Sequence, residues 1–267
     1  MRPVNRGTKP TRTGNRNTEG QIQVEGYGYW RPSLVQRLGE YCSYCEVPLG
    51  VNLAVEHKNP KSNPSVDPDD WGNLLLACTN CNSHKLDFGA QSGEILRRMF
   101  FPDTGSYKFS MVSYAREVKT RKQLFADGLL AKKPAANDNE SFDCVWIKPN
   151  VVSAENKVKL LQTITLMGLN ISATEEKDPK MSDRRVLNRT AAWERATRLA
   201  GLLSAHLPPS WFFDPLRNQI REAAIATGFW SVWVTVFQNT LPASPEKAAW
   251  MTSLFGAGAF PGTQHTF

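Results

Sequence analysis

Up to about residue 141 the apolar positions fall in short, interrupted runs; beyond it the pattern becomes helical. Trp30-Arg31-Pro32 followed by residues 33–38 predicts a short helix. Residues 52–57, apolar and β-branched at their centre, predict a short strand. Pro60, Pro64 and Pro68 then impose a long ordered loop ending at Asp69-Asp70-Trp71. Leu74-Leu75-Leu76 is too short to assign to either element. Residues 81–86 open a helix, since Asn82, Lys85 and Leu86 all tolerate one. Asp103-Thr104-Gly105 is a turn, and the alternation over 107–112 reads as a strand.

Residues 131–141, with Lys132, Lys133, Pro134 and Asn137-Asp138-Asn139, read as a linker and set a domain boundary. After it, Ser153 caps a helix that carries Val158, Leu161, Thr165 and Gly168 at helical spacing. A second helix over 183–206 places Val186, Thr190, Trp193, Thr197 and Ala200 on one face, and Arg184, Asn188, Arg195 and Arg198 on another. Such a basic stripe is more often solvated than bound to phosphate. Trp230, Trp233 and Phe237 recur at i, i+3 and i+7, the spacing of a core face or of an interface. The expected organisation is α+β: a basic flexible arm over 1–25, a catalytic domain over 26–130, and a mainly helical region over 142–267.

Composition adds bounds. A chain of 267 residues with 41% hydrophobic content can fold, and its net charge of +7 suits a polyanionic partner. Arg2, Arg6, Lys9, Arg12 and Arg16 concentrate positive charge at the start, among Asn, Thr and Gly. No run of 18 apolar residues offers a membrane helix, and the start has no signal-peptide core. Four of the five cysteines sit at metal-binding spacing, which fits a reducing cytoplasm better than a disulfide scaffold. Cys144, beside Val145-Trp146-Ile147, reads as a small buried apolar residue.

The chemistry concentrates around those four. Cys42-x2-Cys45 and Cys78-x2-Cys81 form two knuckles separated by 32 residues, a tetrathiolate pattern that suits Zn2+. Between them lie Glu56-His57 and Asn73-Leu74, and directly after them Asn82, His84 and Lys85. Taken in order, Cys42, Cys45, Glu56-His57, Pro60, Asn73-Leu74, Cys78, Cys81-Asn82 and Lys85 resemble the HNH endonucleases. That resemblance implies a ββα-metal core with zinc held by the knuckles. It also implies that His57 is the general base, an imidazole being able to accept a proton at neutral pH. Asn73 then fixes the loop and the base by hydrogen bonds. Glu56 and Asn82 hold a catalytic Mg2+ or Mn2+, Glu56 standing where the family usually has Asp or His. His84 is an accessory candidate, but a helix turns about 200° over two residues, so Asn82 and His84 cannot both face one ion. Lys85 matches a basic position able to contact phosphate.

Met1-Arg2-Pro3-Val4, Tyr41-Cys42-Ser43-Tyr44-Cys45-Glu46, the run from Val55 to Ser62, Asp70-Trp71-Gly72-Asn73-Leu74-Leu75, the run from Thr163 to Asn170, and Phe260-Pro261-Gly262-Thr263 are together similar to the HNH nuclease subunit of Septu-type anti-phage systems. This wider resemblance implies an ABC-type ATPase partner and a defence role, the helical region serving partner binding or regulation. The chain itself has no G-x4-G-K-[ST] loop. Two further readings stay open: a free-standing restriction or homing-type HNH enzyme, and a non-catalytic zinc module that binds nucleic acid or protein.

Overall fold

The computed structural model describes residues 1–11, 26–50, 53–86, 94–130, 132–171, 183–205, 210–244 and 246–267. Helix α1 (Arg31–Leu38) packs Leu34 and Leu38 into the core. Strand β1 (Ala54–His57) pairs antiparallel with β2 (Leu74–Ala77), with His57 opposite Leu74 and Ala54 opposite Ala77. Helix α2 (Thr79–Lys85) follows β2 after a single residue and packs on β1. These three elements form a ββα unit, so the chain is α+β as its pattern implied. The Leu74-Leu75-Leu76 run resolves as strand, and all three leucines are fully buried. With no solvent-facing side, β2 lacks the alternation by which a half-buried strand announces itself.

The expected strand over 107–112 is displaced. Phe109–Met111 is a 3-10 turn, and β3 (Val112–Thr120) starts where that strand was to end. After α3 (Ile95–Arg98) and β3 come α4 (Arg121–Ala126) and β4 (Ser141–Pro149). β4 pairs with β3 along its whole length, from Thr120 opposite Ser141 to Val112 opposite Pro149. The presumed linker is therefore the connection within a hairpin, and it separates no domains. The polar Lys, Pro and Asn residues there mark an exposed turn, which looks in sequence like an interdomain link.

Helices α5 (Ala154–Leu166) and α6 (Arg185–Ala205) pack against β4. α7 (Ser210–Thr227), α8 (Trp230–Thr240) and α9 (Lys247–Phe255) complete the fold. A single cluster of buried apolar residues runs from Met1 to Phe260 and includes both sheets and these helices. Ser153 does cap α5 by accepting from the Asn156 amide. The buried face of that helix is Leu160, Thr163 and Ile164, however, while Val158 is exposed. Arg184, Asn188, Arg195 and Arg198 are all exposed, as a solvated stripe requires. Trp230, Trp233 and Phe237 are sealed in the core, which corrects the interface reading of those three. The side chains of residues 211–213 lie outside the described residues. No helix among the described residues is long and apolar enough to cross a membrane.

The start of the chain departs most from expectation. Residues 1–11 dock on the fold, in place of a mobile arm; residues 12–25 lie outside the described residues. Val4 bridges Thr263, the Asn5 amide donates to the Gly262 carbonyl, and Arg2 donates to Pro261 O and Thr263 Oγ1. Arg6 donates to Leu74 O at 2.6 Å and pairs with buried Asp103 at 2.7 Å, where Lys58 also binds at 2.8 Å. Charge that reads as a basic flexible arm is thus consumed, at Arg2 and Arg6, by partners brought in from remote sequence.

Candidate metal centre and nuclease site

The first knuckle is a turn closed by backbone bonds from Cys42 N to Val47 O and from Glu46 N to Cys42 O. The Ser43 amide donates to Leu76 O, which fastens this turn to β2. The second knuckle straddles the start of α2: Cys78 is the N-cap, and its sulfur accepts from the Cys81 amide at 3.4 Å. Packing of the α7–α8 junction holds the first knuckle from outside. Gly228, at φ +69°, lets the Glu46 carbonyl approach so closely that a Cβ would sit 2.4 Å from that oxygen. Phe229 N donates to the same carbonyl, and the Glu46 carboxylate accepts from Ser231 N and Oγ at 2.7 and 2.6 Å.

These supports gather Cys42, Cys45, Cys78 and Cys81, all buried, with their sulfurs within 4.8 Å of one another. Cys45 and Cys78 are 3.7 Å apart. A tetrahedral zinc with Zn–S bonds of about 2.3 Å places its sulfurs about 3.8 Å apart, so the cluster fits such an ion. Without a cation the four thiols cannot ionise together. Burial pushes Cys45 and Cys81 well up, while hydrogen bonds from Cys42, Cys45 and Cys81 hold Cys78 down. A divalent ion resolves that conflict by binding all four as thiolates.

His57 ends β1. Its Nε2 lies 3.0 Å from the Pro68 carbonyl. A carbonyl only accepts, so Nε2 carries a proton, and in the neutral ring the lone pair is on Nδ1. The Tyr27 ring meets the imidazole edge-on at 4.5 Å. Asn73 staples the loop that leaves β1: its Oδ1 accepts from Asn59 N at 2.7 Å and its Nδ2 donates to Asn59 O at 2.8 Å. The Lys58 amide adds a bond to Asn73 O at 2.8 Å. The proline-rich loop closes on itself, with Asn63 N on Pro60 O, Val66 N on Asn63 O and Asp70 N on Asp67 O. A cleft of about 400 Å³ beside it is lined by Lys9, Asn59, Asp67, Asp70 and Asn73, among others.

Glu56 leaves the strand on the opposite side from His57, as adjacent strand residues must. Its Oε2 accepts from Tyr44 Oη at 2.8 Å, and its Oε1 pairs with Lys85 Nζ at 2.7 Å. Burial, followed by the charge of Glu56, pushes the Tyr44 phenol well up, so the phenol stays protonated and donates. Lys85 is buried on Glu56 and faces the core, not a substrate surface. Asn82 is exposed. His84 lies on another side of α2, its ring so close to Gly168 that a Cβ there would meet Nε2 at 2.9 Å. The structure thus brings together the four cysteines, and separately Asn73 with the loop that follows His57; it sets Glu56 and Lys85 as a pair beneath the strand. Among the described residues, the four cysteines are the one group of three or more His, Cys, Asp or Glu that could hold an ion. With both carboxylate oxygens engaged, Glu56 as placed does not fit a Mg2+ or Mn2+ ion.

Sequence reasoning missed Tyr44, Tyr27 and Asp103. Tyr44 alone carried a local signal, lying inside the first knuckle; the others come from distant chain.

Residues 42–88 match the HNH endonuclease family. No curated protein and no solved structure matches the chain. The HNH segment begins at the first knuckle and extends just past α2, so it contains the ββα unit, all four cysteines and every candidate catalytic residue.

Proposed function

We propose that the chain is an endonuclease that hydrolyses phosphodiester bonds of nucleic acid, DNA foremost, at its HNH segment. The observation that carries this reading is His57 at the end of β1, inside the matched segment, with Nε2 tied to a carbonyl. That bond fixes the tautomer in which Nδ1 can take a proton from an attacking water. Asn73 holds the backbone that follows the base, at Asn59, so the ring keeps its aim. The four-cysteine site holds structural Zn2+ and keeps the knuckles on the ββα unit. A divalent ion at the phosphate would supply charge neutralisation. The resemblance names Glu56 and Asn82 as its holders, but Glu56, held by Tyr44 and Lys85, does not fit that role as placed.

The finer reading is an anti-phage effector of the Septu type, controlled by an ABC-type ATPase in the cytoplasm. It rests on motifs inside the HNH segment together with short ones outside it. Two of them, Met1 to Val4 and Phe260 to Thr263, meet across the Val4–Thr263 bridge. A third ends at Asn170, whose side chain bonds both Ile147 N and Ile147 O. These motifs therefore belong to one packed unit with the nuclease segment.

The test is cleavage of supercoiled plasmid and of single-stranded RNA by purified protein with Mg2+ or Mn2+. His57→Ala should lose cleavage while keeping its circular dichroism, and the products should carry 5′ phosphates. A folded His57→Ala variant as active as the parent overturns the catalytic reading and leaves a zinc-bearing interaction module. Co-purification with the product of a neighbouring ATPase gene tests the partner.

A further inference from the structure

Arg185, the first residue of α6, lies 104 positions from the second knuckle in sequence, yet its NH1 is 2.9 Å from the Cys81 sulfur. The side chain is nearly sealed, at 4% exposure. The same NH1 donates to Met167 O at 2.8 Å and NH2 donates to Gly168 O at 3.0 Å. Nε donates to both oxygens of buried Asp183, each at 2.9 Å, and NH2 pairs with Asp183 Oδ2. The guanidinium is thus held from several sides, with one N–H aimed at sulfur.

We propose that Arg185 is a positioning residue of the four-cysteine metal centre, its N–H···S bond to Cys81 offsetting thiolate charge and coupling α6 to metal retention. The proposal rests on the reading that the four cysteines bind a tetrahedral divalent ion. Such a centre carries a formal charge of −2 once all four thiolates bind. All four cysteines are at most 8% exposed, so water cannot screen that charge. A buried guanidinium hydrogen-bonded to one sulfur disperses part of it and draws electron density away from the metal–sulfur bond. Arg189, one turn along α6, is a second fully buried cation; its donors go to Val145 O, Leu169 O and Asn170 Oδ1, all uncharged. Helix α6 therefore presents two buried positive charges on the side of the fold where the metal centre concentrates negative charge. The α6 end of this link lies outside the matched HNH segment.

The experiment uses the full chain with Co2+ in place of zinc, as wild type, Arg185→Met, Arg185→Lys and Asp183→Asn. Loss of an N–H···S bond makes the thiolate a better donor. The sulfur-to-cobalt charge-transfer band should therefore move to lower energy in Arg185→Met. Asp183→Asn disturbs the same ion pair but leaves the sulfur contact, so its band should stay in place. A thiolate without its guanidinium is also more basic and more readily protonated off the metal. Zinc affinity, read by competition with a chromogenic chelator, should therefore fall about 10–100-fold in Arg185→Met, the range for loss of a ligand's outer partner, and zinc release should be faster. Arg185→Lys should fall between the two. If Arg185→Met does not fold, Arg185→Lys decides alone, by a band shifted or unmoved. An unmoved band together with a release rate within twofold of wild type overturns the role of Arg185. Failure of the wild-type chain to take up Co2+ with a thiolate band overturns the metal reading itself, and the proposal with it.

Discussion

Lys85→Met removes the ammonium that faces Glu56 Oε1 across 2.7 Å. The two side chains are 3% and 1% exposed, so water cannot take the ammonium's place. Removing one member of a buried pair leaves an uncompensated charge and costs about 3–5 kcal/mol. Methionine keeps most of the lysine stem's volume, so little of that cost is cavity. The Tyr44 hydroxyl still donates to Oε2 and holds the loss near the lower figure. In a chain of this size the melting temperature should fall by roughly 6 °C or more. The double variant Glu56→Gln/Lys85→Met leaves no charge at this pair, and its amide oxygen can still accept from Tyr44. It should recover most of the loss, with a coupling energy of about 2 kcal/mol or more between the two positions. Urea denaturation of wild type, both single variants and the double variant measures this, with comparable m-values required. A Lys85→Met variant within about 0.5 kcal/mol of wild type would refute the electrostatic argument. So would a double variant no more stable than the single one. The same proteins decide the role of Glu56 in ion binding. If it holds the catalytic ion, Mn2+ should bind Lys85→Met more tightly than wild type and Glu56→Gln more weakly. Equal affinity in all three removes Glu56 from the ligand set.

Asn73→Ala should strip the Asn59 amide and carbonyl of their partners at about 1–3 kcal/mol per group left unsatisfied, and cleavage should fall further than stability; unchanged activity in the folded variant would show that the loop does not need the staple. Cys78→Ser should lose zinc and destabilise the region around the knuckles, read by metal analysis and protease sensitivity; a variant fully zinc-loaded and as resistant as wild type contradicts the four-thiolate site. His265 sits among Phe109, Trp230 and Phe267, and burial lowers the affinity of its imidazole for a proton in the folded state. The unfolded chain then binds that proton more readily, so stability is fully present above the ordinary histidine value of about 6.5 and declines as pH falls below it. Melting curves from pH 7.5 to 5 should show a smaller decline in His265→Phe than in wild type, and equal declines would clear His265 of the effect.

Much of the site was legible because its signals are local. The two knuckles announce a metal site by spacing alone, since each supplies two sulfurs from one turn. Asn73 is assigned to the loop through the resemblance alone; the β1–β2 hairpin is what brings it opposite the segment leaving β1. Glu56 and His57 had to diverge by strand alternation, and they do. Tertiary structure decided what depends on remote partners. Lys85, read as a phosphate contact, is drawn inward by Glu56 from the neighbouring strand. Arg2 and Arg6, read as part of a basic flexible arm, are anchored by Pro261, Thr263, Leu74 and Asp103. The exposed connection over 131–141 resembled a domain boundary because polarity reports solvent, not chain pairing, and only the β3–β4 register shows that one hairpin spans it. Val158 sat at helical spacing yet faces solvent, since periodicity finds an amphipathic face and packing chooses which side is covered. Arg185 shows the limit most plainly: its spacing to Cys81 carries no pattern, and the contact exists because α6 folds back over the knuckle. Local geometry and ligand chemistry are written in short stretches of sequence, whereas the satisfaction of buried charge is settled among residues that meet only once the chain has folded.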